Sequence, residues 1–172
     1  MAEKAVFCIV RSELQAVEIV EAARDHGFSG NDISVLCPDR AGTRDFAHEK
    51  STKAPEGAAT GALTGGVLGG VAGWLVGIGS LAIPGLGAFI AAGPIMAALG
   101  GATVGAAAGG LTGALVGMGI PEFEAKRYEG KVKGGNILIS IHTHDREGVR
   151  RAKQLFEQGG AEDVSAASEA AA

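Results

Sequence analysis

Residues 61–79 read GALTGGVLGGVAGWLVGIG, and residues 101–119 read GATVGAAAGGLTGALVGMG. The two stretches align without a gap at an offset of 40 residues, and 10 of their 19 positions are identical. Seven of the identical positions are glycines. Self-similarity at a fixed period indicates a duplicated structural unit, and here the unit is defined by where glycine falls.

Glycine recurs at every fourth position in both stretches, and the first run begins earlier, at Gly57. Residues four apart lie on the same helix face, and glycines there let a second helix approach closely. The spacing predicts a glycine-zipper helical hairpin: a helix over 57–79, an apolar connector over 80–93 and a helix over 94–118. The predicted positions of helix packing and oligomerisation are Gly57, Gly61, Gly65, Gly69, Gly73, Gly77, Gly101, Gly105, Gly109, Gly113 and Gly117.

The repeat lies in a block of 65 consecutive residues, 57–121, that contains no Asp, Glu, Lys, Arg or His. A helix over 57–79 would be about 35 Å long, which exceeds the roughly 30 Å of a hydrocarbon core. Basic residues flank the block on both sides, and the connector has none. By the positive-inside rule this distribution predicts a hairpin in the cytoplasmic membrane with both chain termini in the cytoplasm. Membrane lipid and further copies of the chain are the predicted partners.

A soluble alternative follows from the same residues. Residues 57–79 contain nine glycines and only eight large apolar side chains, so each helix is a marginal membrane span. A cytoplasmic homo-oligomer could instead bury the hairpins and act as a scaffold. In that case its apolar interior would be a carrier site for a lipophilic small molecule such as a quinone or lipid.

The two ends of the chain follow the same pattern. Residues 5–10 and 32–37 are strand-like runs on either side of a helix that begins at Ser12 and ends at Gly27. Residues 136–142 and 163–166 flank a second helix, with Asp145 as its cap. Two such βαβ units predict an α+β domain of the ferredoxin-like, split βαβ–βαβ kind. Neither half is stable alone, so the two ends of the chain should fold together.

The predicted organisation is therefore one α/β domain interrupted by an insertion. Its halves are residues 1–39 and 120–167, the second of which begins with an additional helix. Residues 40–56 form a charged linker, residues 57–119 the zipper hairpin, and residues 168–172 a disordered tail. In the additional helix, Phe123 and Tyr128 either anchor a membrane surface or pack on the α/β domain.

Candidate chemistry is sparse. His142 and His144 alternate along a predicted strand, so both imidazoles would face the same side and could share a metal ion such as Zn²⁺. No third ligand is evident, because Asp145 is placed as a helix cap, and the alternative interpretation is a polar strand end on an open sheet face. Cys8 and Cys37 lie in predicted strands, where buried and unreactive thiols are expected.

The composition argues against several classes of function. A net charge of −4 gives no basic field for a phosphate backbone, so nucleic acid is not a predicted partner. No phosphate-binding loop, nucleophilic triad or cofactor motif occurs at a position with the required structural context. We therefore expect a non-enzymatic protein without a cofactor.

Several segments resemble a bacterial family of general-stress and low-temperature-induced small proteins. These are the "GF…DISVL" segment that ends at Leu36, the "AIPGLG" segment within the glycine-rich block, and the stretch 119–139, GIPEFEAKRYEGKVKGGNILI. The N-terminal part resembles the heat-induced stress protein domain. The resemblance implies a stress-linked, membrane-associated protein. A more distant similarity to the small membrane-anchored subunit of alternative complex III, which oxidises quinols, motivates the lipophilic-ligand alternative.

Overall fold

The computed structural model describes residues 4–38, 79–83, 87–101 and 105–168. The predicted charged linker, the first glycine array and residues 169–172 of the predicted tail lie outside these residues. Ser168, which was also predicted to belong to the disordered tail, is the last residue of a strand. The elements, in chain order, are β1 Lys4–Val10, α1 Glu13–Asp25, β2 Ile33–Pro38, β3 Gly79–Ile83, β4 Gly87–Ala92, α2 Pro94–Gly101, α3 Gly105–Gly117, α4 Glu122–Lys133, β5 Ile137–Thr143, α5 Arg146–Gln158 and β6 Glu162–Ser168.

The strands form one antiparallel sheet in the order β3-β4-β2-β5-β1-β6. β5 lies between β1 and β2, and β1 lies between β5 and β6, so the two βαβ units are interleaved. Cys8 pairs with Ile139, for example, which brings together the two ends of the chain. The prediction of an α+β protein whose two ends share a sheet is confirmed.

The ends of the two helices in the βαβ units follow from local sequence. The Ser12 hydroxyl accepts a hydrogen bond from the Gln15 amide at 3.2 Å, and the Gln15 side chain accepts one from the Arg11 amide at 3.1 Å. Gly27 has φ of +86° and ends α1 in the left-handed conformation that glycine tolerates best. At the start of α5 the Asp145 carboxylate accepts a hydrogen bond from the Gly148 amide. The predicted caps at Ser12 and Asp145 and the stop at Gly27 are confirmed.

Each sheet face is covered by a different set of helices. On one face, side chains such as Val6 and Ile139 pack with α1 and α5. On the other face, side chains such as Phe7 and Leu138 pack with α2, α3 and α4. Successive side chains of β1 and β5 therefore point to opposite faces of the sheet, and both faces are covered by helices. This explains why these strands are almost wholly apolar. The molecule has three layers, with the sheet in the middle.

The second half of the predicted insertion differs from a simple helical hairpin. Where an apolar connector between two helices was predicted, the described residues of 79–92 form β3 and β4, which pair with each other and extend the sheet beyond β2. The physical reason is that β2 would otherwise have an unpaired edge, and backbone amides and carbonyls need partners. Apolar β4 supplies these partners.

The helix predicted over 94–118 is also wrong as a single element. The structure has α2 and α3 there, and α3 is itself interrupted at Gly110, where φ is 56° and ψ is −142°. These angles lie outside the helical region, in a part of conformational space that glycine alone enters readily. Gly110 is not one of the predicted packing positions, and the bend there separates Gly109 from Gly113, which are both such positions.

The link between β4 and α2 depends on a close backbone approach. Gly93 has φ of +79°, and a Cβ atom built on it would lie 2.9 Å from the carbonyl carbon of Ile33 and closer still to its oxygen. Two residues later, the Ile95 amide donates a hydrogen bond to the Ser34 hydroxyl at 3.0 Å. A side chain of β2 therefore satisfies one of the free amides at the start of α2, and the two contacts fix α2 over the sheet.

Candidate functional site

The structure locates only part of the predicted glycine zipper. Gly57, Gly61, Gly65, Gly69, Gly73 and Gly77 lie outside the described residues. Gly101 is the last residue of α2, Gly105 the first of α3, and Gly117 the last of α3, with Gly109 and Gly113 between them. The described array is therefore divided between two helices, and its C-terminal part lies on α3, beside α4.

The interruption at Gly110 is stabilised from α4. After Gly110 the helix begins again, and the first backbone amides of this new segment have no carbonyl partner one turn earlier. The Glu129 carboxylate accepts hydrogen bonds from the Thr112 amide at 2.8 Å and from the Thr112 hydroxyl. Glu129 is a negative charge near the positive end of the new helical segment, which is a favourable arrangement. Because only residues 118–121 connect α3 to α4 and residue 112 lies beside residue 129, the two helices run antiparallel.

We expect Glu129→Ala to lower the free energy of unfolding by about 1–2 kcal/mol, the range found when a helix cap is removed. Urea denaturation measures this loss, and hydrogen exchange of the Thr112 amide should become faster. The matched control is Glu18→Ala, at an exposed position of α1, which should change stability by less than about 0.5 kcal/mol. Equal stability of the two variants would contradict the capping role.

The C-terminal half of α3 has one face in the core and one face outside it. Leu111, Ala114 and Leu115 are buried against the sheet. On the other side, Val116 is 42% exposed and Gly117 is exposed as well. A Cβ atom at Gly117 would meet nothing within 4 Å. Gly117 is therefore not part of a close helix contact within the described part of the chain, and its surface is available to another molecule.

The two aromatic residues of α4 have opposite environments. Tyr128 is fully buried beneath the helix, with its ring centroid 6.3 Å from that of Phe7. Phe123 is 69% exposed, and the Arg127 guanidinium lies over its ring at 5.4 Å from the centroid. These residues were predicted either to anchor a membrane surface or to pack on the α/β domain, and Tyr128 packs on the domain.

Tyr128 also connects α4 to the last strand. Its hydroxyl donates a hydrogen bond to the Asp163 carbonyl oxygen at 2.5 Å and lies 2.8 Å from the Ser165 hydroxyl. Burial raises the pKa of Tyr128 to about 12, and the hydrogen bond with Ser165 offsets part of that increase. The phenol is therefore neutral at physiological pH and acts as a structural hydrogen-bond donor.

An ionic cluster lies around the beginning of β6. The Lys131 ammonium contacts the Asp163 carboxylate at 2.7 Å and the Glu162 carboxylate at 2.8 Å, and Arg11 also pairs with Glu162. Hydrogen bonds to Asp163 and then Glu162 raise the pKa of Lys131, and the hydrogen bond from Lys131 lowers the pKa of Glu162. These groups are partly exposed, so the cluster fixes the position of β6 more than it stabilises the fold.

The structure corrects the predicted histidine pair. His142 is 2% exposed, its Nε2 lies 3.2 Å from the Ser140 hydroxyl, and its ring is edge-on to Phe7. β5 ends at Thr143, so His144 is exposed beyond the strand and does not share its face. The alternative interpretation placed His142 on an open sheet face. That is also wrong, because helices cover the face that holds His142. Within the described ranges, no three His, Cys, Asp or Glu side chains are arranged to hold a metal ion.

The two cysteines are free and buried, which confirms the prediction for them. Burial raises the pKa of Cys8 well above its ordinary value, because a thiolate is poorly solvated among apolar side chains. A thiol in this state is a weak nucleophile. Cys8 is therefore a core residue facing α1 and α5.

Two contacts that hold helices against the sheet or against each other, those of Ser34 and Glu129, could hardly be predicted from the sequence. Ser34 is a polar residue in an otherwise apolar strand. Its presence there is the only indication in the sequence that its hydroxyl has a specific partner. Glu129 lies among several charged residues of α4, and its pairing with Thr112 depends on the interruption at Gly110, which the zipper spacing concealed. Both contacts arise from tertiary structure.

Comparison of the chain with models of protein families, with curated proteins and with solved structures gives no match. In the described ranges, no helix has both the length and the apolar character needed to cross a bilayer. The candidate site is therefore defined by its own geometry: the outer surfaces of α3 and α4, where Gly117, Val116 and Phe123 are exposed together at one end of the antiparallel pair.

Proposed function

We propose that this chain is a non-enzymatic, stress-associated protein that associates with the membrane and with copies of itself through its glycine-rich segments. The observation that carries the proposal is the outer face of α3. Gly113, Val116 and Gly117 are uncharged and only partly covered, while Leu111 and Leu115 fill the core. A surface of small apolar residues at spacings of three and four suits a close helix–helix contact.

The α/β part is, in this proposal, a ferredoxin-like domain of the split βαβ–βαβ kind. The strand order β2-β5-β1-β6 within the larger sheet supports this assignment, as does the position of α1 and α5 on one face. The glycine-rich insertion contributes β3, β4, α2 and α3. The domain would remain in the cytoplasm and position the glycine arrays at the cytoplasmic membrane.

Self-association is tested by Gly117→Leu. Because a Cβ atom at this position meets open space, the folded monomer can accommodate the larger side chain. In an assembly that uses this face, leucine would separate the two helices, and the association constant should fall at least about tenfold, which corresponds to about 1.4 kcal/mol. Analytical ultracentrifugation over a concentration series measures the change.

The control is Glu18→Leu, which places the same side chain at an exposed position of α1, on the opposite face of the sheet. This variant should retain the parent's association constant. If Gly117→Leu assembles as the parent does, α3 is not the contact between copies.

Membrane association is tested by fractionation of cells that express the whole chain, followed by a wash with alkaline carbonate. Retention in the washed membrane pellet supports the proposal. Recovery of the chain as a large soluble particle would contradict membrane association and would leave assembly in solution as the function of the glycine arrays.

A further inference from the structure

We propose that the exposed face of α4 binds the headgroups of anionic lipids. This proposal rests on the membrane association proposed above and names the surface and the lipid class. We define the α4 outer face as Phe123, Lys126, Arg127, Gly130 and Lys133, which are all exposed. Their spacing of three, four, seven and ten residues places them on one side of the helix, opposite the buried Ala125, Tyr128 and Val132.

The charge of this face differs from that of the chain. The exposed residues of α4 comprise three cations and one acid, Glu122, which gives a net charge of 3 − 1 = +2. The whole chain has a net charge of −4. Glu122, which pairs with Lys126 at 2.6 Å, is already counted in the charge of +2. Of the other acids on α4, Glu129 is held by Thr112 and Glu124 is half-buried.

Phe123 gives the same face an apolar contact. At 69% exposure it is the most exposed large apolar side chain of the described residues. Arg127 packs over its ring and also lies 3.6 Å from the Asp163 carboxylate, so the aromatic ring and a cation are held side by side. Helices that lie in the membrane–water interface typically combine basic residues with apolar side chains such as Phe.

The position of the face agrees with this role. Phe123 is the second residue of α4, two positions after the charge-free block, which ends at Pro121. Val116 and Gly117, at the end of α3, are exposed at the same end of the pair. If the glycine-rich block reaches the bilayer, Lys126 and Arg127 are the first basic residues after it, which would place them close to the headgroups.

The experiment uses the full chain and floats it with two kinds of vesicle, one of phosphatidylcholine alone and one that also contains phosphatidylglycerol. The parent should bind the anionic vesicles more tightly. Lys126→Gln/Lys133→Gln should reduce that binding by about 25-fold, because each basic residue near an anionic surface contributes roughly a factor of five. Binding to neutral vesicles should change little.

Phe123→Ser should weaken binding to both kinds of vesicle by about tenfold, because the ring no longer enters the interface. The matched control is Leu14→Ser. Leu14 is 62% exposed, but it lies on α1, which covers the opposite sheet face. This control should bind both kinds of vesicle as the parent does.

The outcomes separate this proposal from the one on which it rests. If the parent binds anionic vesicles and the α4 variants bind as tightly as Leu14→Ser, the lipid contact on α4 is overturned while membrane association stands. If the parent binds neither kind of vesicle, both are overturned. A change in oligomer mass for Phe123→Ser, without a change in vesicle binding, would assign the face to a second copy and also overturn the lipid contact.

Discussion

Gly93→Ala is expected to lower the free energy of unfolding by about 3 kcal/mol or more. Two costs add. The residue has φ of +79°, where an L side chain is strained. The new Cβ atom would also lie 3.0 Å from the Ser34 Cα and closer than that to the Ile33 carbonyl group. Both neighbours are backbone atoms of β2, which cannot rotate away.

The expected structural consequence is displacement of β4 and α2 from β2. The hydrogen bond from the Ile95 amide to Ser34 would break, and the part of the core beneath Ile95 would open. Urea denaturation followed by circular dichroism measures the loss of stability. Faster hydrogen exchange at the Ile95 amide would show that the loss begins at this junction.

Two other glycines separate the causes. Gly130→Ala, in an exposed helix with open space, should stabilise the protein by up to about 1 kcal/mol. Gly27→Ala has the positive φ of +86° but no neighbour within 4 Å, so it should cost about 1–2 kcal/mol from strain alone. If Gly93→Ala costs no more than Gly27→Ala, the close approach to β2 is not what fixes α2.

The second large effect is a loss of stability in alkali, caused by Tyr128. The phenol has a pKa near 10 when unfolded and about 12 when folded. Between these values the unfolded chain has released the proton and the native protein retains it, so a rise in pH favours unfolding. The contribution is intact below pH 10 and is lost as the pH approaches 12. Two pKa units at 1.4 kcal/mol each give a loss of about 3 kcal/mol.

Tyr128 is the only tyrosine of the chain, so the ultraviolet absorbance of tyrosinate reports on this residue alone. The absorbance should rise well above the pH at which a free tyrosine ionises, and together with unfolding. Tyr128→Phe is the control. It should cost about 1 kcal/mol at neutral pH through the lost hydrogen bonds but should show a shallower fall in stability in alkali. Titration of the native protein near pH 10 would contradict the prediction.

The parts of the fold that could be predicted from the sequence are those with local causes. The strands at both ends, the cap at Ser12 and the stop at Gly27 each depend on a few adjacent residues. The environment of Tyr128 could not be predicted, because Tyr128 and Phe123 are both aromatic residues of one charged helix. Only the sheet beneath the helix decides which of the two is buried.

The prediction of a single helix over 94–118 was wrong for a physical reason. Glycine at every fourth residue suits a packed helix, but it also permits strands, turns and bends, since glycine restricts the backbone so little. Tertiary contacts then decide among these. β4 pairs with the edge of β2, and the Glu129 carboxylate accepts a hydrogen bond from the Thr112 amide, which lies just after the bend at Gly110. The repeat therefore identified the segment but not its conformation.

The interleaving of the two βαβ units has a consequence for synthesis of the chain. β1 has both its partners, β5 and β6, in the last 36 residues, as shown by pairs such as Val6 with Ile141 and with Ala166. At translation rates of about 5–20 residues per second, β1 waits for several seconds without a neighbour, while the charge-free block leaves the ribosome. We therefore expect slow folding, typical of a high contact order, and a nascent chain that needs a chaperone or the membrane to shield it until the C-terminal strand has been made.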